Sequence, residues 1–222
     1  MIFLPLKRYT VTLLLLISGL SQATGLPETQ GNPSLQTILA VNSQAPMSTL
    51  ASAASQLQTL YQQHPESRIA KMFYGYAQLF MATDFLAKKN YMRAAETSKL
   101  GFFYVDEAAE SEENDWQMRF LRVRMDAFVP AIHGRCVVAL KDLDYLQQNS
   151  AVPADLQPMI TLMSARALTN CHRVADAKAA WAALAQQGEE GKRLSEHSDS
   201  TASEWTPAEL KAIILPLTEG PL

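Results

Sequence analysis

Two cysteines, Cys136 and Cys171, each have a histidine at hand: His133 lies three residues before the first, and His172 follows the second directly. Four nitrogen and sulfur ligands of this kind suit zinc or copper. Neighbouring residues on a helix point about 100° apart, however, and the chain has no C-x-x-C pair. A disulfide is the second possibility and a pair of free thiols the third. The helical segments "RCVVALKDLDYLQQ" and "DLQPMITLMSARALTNC" are joined through "AVPAD", and Cys136 and Cys171 stand 17 and 18 residues from Pro153 on either side. Residues equidistant from a hairpin turn face each other, so in an oxidising compartment the spacing predicts a Cys136–Cys171 bond. The closed loop of 36 residues gives the bond a chain-entropy value on the order of 3–4 kcal/mol.

The remaining ionisable residues form no catalytic signature. A phosphate-binding Gly-rich loop, H-E-x-x-H and G-x-S-x-G are all missing, so no enzyme activity and no cofactor are expected. The acidic run "DEAAESEEND", residues 106–115, has the composition of a solvated helix end, or of a patch for a basic partner. Arg119 and Arg122 follow it on one helix face. Asp115 and Arg119 have i, i+4 spacing for a surface pair, or else Arg119 and Arg122 grip a partner's carboxylate.

These residues need elements to hold them. The opening "MIFLPLKRYTVTLLLLISGLSQATG" has two cations, an apolar stretch and small residues at Ser21 and Ala23, which predicts a signal peptide over residues 1–23 and a periplasmic or otherwise exported product. Ten residues from Val11 to Leu20 cover roughly 15 Å, too short for comfortable membrane spanning, and no cysteine follows for a lipoprotein anchor. Loss of Lys7 and Arg8 takes the net charge from −3 to −5, which gives no support to nucleic-acid binding. Residues 24–46 read as a poorly ordered lead-in with "LQTILAV" as a possible short helix.

From Met47 onward, apolar residues recur at helical spacing with little Gly or Pro between them. The pattern predicts an all-α domain of antiparallel helix pairs over residues 47–187, a flexible linker over 188–205, and a short C-terminal helix and tail over 206–222. Thr206, Pro207 and Glu209 make a capping box at the start of that helix. "NDWQMRFLRVRMDAFVP" is the clearest amphipathic segment, with Gln117, Arg119, Arg122, Arg124 and Asp126 on its polar side.

A search for repeats brings out two similar segments. "MATDFLAKKNYMRAAETSKLGF" resembles a tetratricopeptide repeat: Met81 and Ala82, Phe85, Tyr91, Ala94 and Gly101 fall at the family's large, small and aromatic positions. "MSARALTNCHRVADAKAAWAAL" resembles a second copy through Ser164 and Ala165, Leu168, Val174, Ala177, Trp181 and Leu184. The resemblance implies helix pairs stacked as a right-handed superhelix, an irregular helical bundle being the alternative. It also implies a concave groove lined by Tyr76, Leu79 and Thr83 and faced by Arg119 and Arg122. The Lys and Asn pattern with which such domains hold C-terminal carboxylates is absent. The implied function is a non-catalytic adapter that binds a peptide or protein partner in the cell envelope. The alternative is a small-ligand binder with an enclosed pocket near Tyr74, Tyr76, Phe80 and Phe103.

Overall fold

The computed structural model describes residues 33–196 and 204–219, which are helical with short connections and contain no β-strand. The expected signal peptide over residues 1–23 lies outside the described residues. In chain order come α1 (Pro33–Ala40), α2 (Met47–Gln63), α3 (Arg68–Ala87), α4 (Tyr91–Glu110), α5 (Trp116–Asp126), α6 (Cys136–Gln148), α7 (Gln157–Asn170), α8 (Val174–Leu184) and α9 (Gly188–Ser195). Last is α10, residues 207–219, an α-turn that widens to a π segment over Leu210–Ile214 and returns to α.

Helix α3 packs between α2, α4 and α5. Nearly all of its residues from Ile69 to Ala82 are buried. Its fit against α4 rests on two glycines. A Cβ on Gly75 would lie 2.7 Å from the Gly101 carbonyl oxygen, and one on Gly101 would lie 2.7 Å from Leu79 Cγ, so the two backbones approach as closely as they do because both positions lack a side chain. Lys71, one turn before Gly75, meets Glu107 of α4 at 2.6 Å, which sets the pair antiparallel.

The turns α3–α4 and α7–α8, within the two segments that resemble each other in sequence, are built alike. Lys89 and His172 both take left-handed conformations, with φ of 59° and 60°. In the first turn Asn90 N–H donates to Phe85 O at 2.8 Å and Lys89 N–H to Leu86 O at 2.9 Å; in the second Arg173 N–H donates to Leu168 O at 2.8 Å and His172 N–H to Thr169 O at 3.1 Å. This is the Schellman arrangement, formed without its usual glycine. The small residues one turn into the following helices, Ala94 and Ala177, are both buried.

The disulfide is formed: Cys136 is bonded to Cys171 with their Cα atoms 5.7 Å apart, tying the start of α6 to the end of α7. Both sulfurs are thereby used, which removes the metal alternative. His133 and His172 are exposed.

Three expectations are corrected. Helix α5 has no solvent face, because every residue from Met118 to Asp126 is buried, including Arg119, Arg122, Arg124 and Asp126. Its polar side meets neighbouring helices rather than water. The lead-in assigned to residues 24–46 is ordered from Pro33, since Leu35, Ile38 and Val41 are 4%, 0% and 1% exposed in the common core. The linker assigned to 188–205 contains α9, whose Gly191 and Leu194 are buried. The capping box that opens α10 is present, with Glu209 N–H donating to Thr206 Oγ1 at 3.2 Å and Thr206 N–H to Glu209 Oε2 at 2.8 Å. Leu210, Ile213 and Ile214 carry α10 into the same core as α1–α9.

Candidate functional site

Arg119 and Arg122 belong to the scaffold. Asp142 of α6, fully buried, accepts from Arg122 Nε at 2.7 Å, from Arg122 Nη2 at 3.0 Å and from Arg119 Nη1 at 3.2 Å. Arg122 Nη1 also donates to Glu110 of α4 at 2.9 Å. Arg135 forks between Asp126 and Asp106, with four contacts of 2.7–2.8 Å. Burial pushes the Asp126 carboxyl up to about 6 despite that pairing. Asp106 and Glu110 of the acidic run are therefore partners for internal arginines, and Glu107 pairs with Lys71. Asp115, expected to pair with Arg119, instead caps α5 by accepting from Gln117 and Met118 N–H, and it meets Arg68 at 2.5 Å.

Tyr76, Leu79 and Thr83 do come together, on the wall of a cavity of about 820 Å³. The cavity is bounded by the start of α2, the second half of α3, the first half of α4, and the end of α5 with the turn after it. Its deep surface is formed by buried residues such as Leu50, Leu79 and Met125, and its mouth by exposed ones, Leu86, Tyr91 and Pro130 among them. Phe80 lines it as expected. Tyr74 and Phe103 do not: Tyr74 packs against Tyr61 and Tyr104, and Phe103, 59% exposed, lies against Tyr104.

The polar groups in the deep part are committed to the protein. Tyr76 donates its hydroxyl hydrogen to Leu121 O, and burial holds that phenol far above its ordinary pKa, so it stays neutral. Arg124 Nε donates to Glu209 at 2.6 Å, and its guanidinium lies 3.7 Å over the Trp205 ring. Thr83, nearer the mouth, donates to Leu79 O at 3.2 Å. A group entering this space meets hydrocarbon walls and no unused donor on Tyr76 or Thr83.

The C-terminal segment packs on α3 and α5 next to the deep end of the cavity, where Arg124 meets Trp205 and Glu209. Trp205 packs on Phe73 with ring centres 5.9 Å apart, and Gln117 Nε2 donates to Ala212 O at 2.8 Å.

Sequence reasoning missed the walls given by α2 and α5. Met47, Leu50 and Met125 look like ordinary core positions, and only the packing shows that the space between them is left unfilled. Among the described residues no group of three or more His, Cys, Asp or Glu is placed to hold a metal, and no helix there is long and apolar enough to cross a membrane. Comparison of the chain with models of known protein families, with curated proteins and with solved structures found no match.

Proposed function

We propose that this is an exported, non-catalytic binding protein that receives an apolar ligand in the cavity between α2, α3, α4 and α5. One observation carries this: a preformed space of about 820 Å³ with mostly apolar walls, within the range of about 300–1,000 Å³ usual for small-molecule sites. The disulfide supports folding in an oxidising compartment. The matched α3–α4 and α7–α8 turns support kinship with tetratricopeptide-like helix pairs. An extended peptide groove has less support, because the C-terminal segment packs on α3 and α5 and because Arg119 and Arg122 are spent on Asp142.

The second reading is a partner polypeptide that inserts apolar side chains into the same cavity. Exposed Leu86, Tyr91 and Met92 beside the mouth, at 54%, 64% and 75%, favour it, since clustered exposed apolar surface marks interaction sites.

The neutral dye N-phenyl-1-naphthylamine tests the cavity itself. Its fluorescence is expected to rise on binding with one site per chain. Ala95 lines the cavity from the exposed side of α4, so Ala95→Trp fills the space with little disturbance of the core and is expected to abolish the signal while helical circular dichroism is kept. Unchanged dye binding in folded Ala95→Trp would place the dye elsewhere and remove the support for this site.

A further inference from the structure

The charges around the mouth are distributed in a way that the helices themselves do not ask for. A helix is stabilised by acids in its first turn and cations in its last; α4 has neither. It begins instead among Lys88, Lys89, Arg93 and Lys99 and ends among Asp106, Glu107, Glu110, Glu112 and Glu113. The acidic end has a structural reason, because Arg135, Lys71, Arg122 and Arg68 take up the carboxylates of Asp106, Glu107, Glu110 and Glu112. At the basic end only Lys88 is in an ion pair among the described residues, with Asp84 at 2.7 Å. Arg93 stacks over Phe85 at 5.8 Å.

The basic end of α4 is also the cavity end. Lys99 and His133 line the cavity itself, and Lys89 lies in the turn between Ala87 and Tyr91, which also line it; Arg93, stacked over Phe85, lies on the other side of α4. Asp84 also lines the cavity but is already paired with Lys88 at 2.7 Å, and Glu96 is exposed on α4. The other segments that frame the mouth, residues 41–50 and 127–134, contain no Asp or Glu. The deep end thus takes hydrocarbon, and the mouth presents cations that have no carboxylate of their own.

We infer that the ligand is a single-chain anionic amphiphile, a carboxylate or phosphate head on an aliphatic tail, with the tail packed against Tyr76, Leu79 and Met125 and the head held by Lys99 and Lys89. This inference rests on the cavity being a binding site. Charge complementarity at the rim gives selectivity rather than bulk affinity, and the apolar contact supplies most of the binding.

Displacement of bound N-phenyl-1-naphthylamine by two detergents with the same tail and opposite heads, dodecanoate and dodecyltrimethylammonium, below their micelle concentrations, separates the two claims. Dodecanoate is expected to compete at about tenfold lower concentration at low salt. In Lys89→Gln/Lys99→Gln that preference is expected to fall to about twofold or less. Equal potency of the two heads in the unaltered protein, or an unchanged preference in the double variant, overturns the head-group assignment and leaves the cavity reading standing. Failure of the dye itself to bind removes the cavity reading. Flotation with phosphatidylglycerol vesicles, without displacement of the dye by dodecanoate, would place this face against a bilayer and overturn the proposed occupant.

Discussion

At its C-terminal end α4 offers Asp106, Glu107 and Glu110, and each is met by a cation from another helix or loop: Arg135, Lys71 and Arg122. At its N-terminal end Lys89, Arg93 and Lys99 face solvent with no ion pair among the described residues. One helix therefore carries charge for two purposes. The acidic end holds α4 to α3, α5 and α6, where buried arginines would otherwise be stranded. At the basic end the only ion pair among the described residues is that of Lys88 with Asp84. What distinguishes them is the burial of the partner, since charge alone would give both ends the same description.

That contrast can be broken from the buried side first. Arg122→Ala leaves Asp142, fully buried, with only Arg119 in reach, and an uncompensated buried charge costs about 3–5 kcal/mol. Urea unfolding should show a loss of that size; a loss under about 1 kcal/mol, the value of a surface pair, would put the acidic end of α4 in the same class as the basic end. Replacing both Cys136 and Cys171 by Ser opens a loop with a sequence separation of 35 residues and is expected to cost about 3 kcal/mol, read by the same unfolding curves without reductant.

The pH dependence sharpens the contrast further. Burial raises the Asp126 carboxyl from 3.8 to about 6. The folded chain then holds that proton more tightly than the unfolded chain between those two values. The stabilisation is full below about pH 4 and disappears as pH rises through about 6. Relative to Asp126→Asn, the unaltered protein should therefore lose on the order of 2 kcal/mol of stability across that window, visible in denaturation midpoints taken at intervals of pH. The smallest effect belongs to the basic end: Lys89→Gln/Lys99→Gln should shift stability by no more than about 0.5 kcal/mol. A larger loss would mean that those cations serve the fold.

Much of the fold was legible because its signals are local. Helical periodicity gave α2 to α8, the Thr206–Glu209 box gave the start of α10, and equal spacing about Pro153 paired Cys136 with Cys171. Helix α5 was misjudged because amphipathicity equates polar with solvent. Arg119, Arg122 and Arg124 are polar and yet interior, since Asp142 of α6 and Glu209 of α10 come to meet them from distant parts of the chain. Helix α9 was hidden by its polar, Gly-containing neighbourhood; α1 was foreseen as a possible short helix in "LQTILAV", but not that Leu35, Ile38 and Val41, recurring at a spacing of three, are buried in the common core. At the site, Tyr76, Leu79 and Thr83 were found through family resemblance, whereas an unfilled volume leaves no mark on the residues that surround it.

Methionine methyl NMR reaches the central claim most directly, because the nine methionines include both sides of the comparison. Met47 and Met125 line the cavity, while Met72 and Met118 are fully buried in the core outside it. Titration with dodecanoate is expected to shift the Met47 and Met125 methyl resonances in parallel and saturably, and to leave those of Met72 and Met118 in place. Shifts spread evenly over all four, or none at Met47 and Met125, would contradict a ligand seated between α2 and α5.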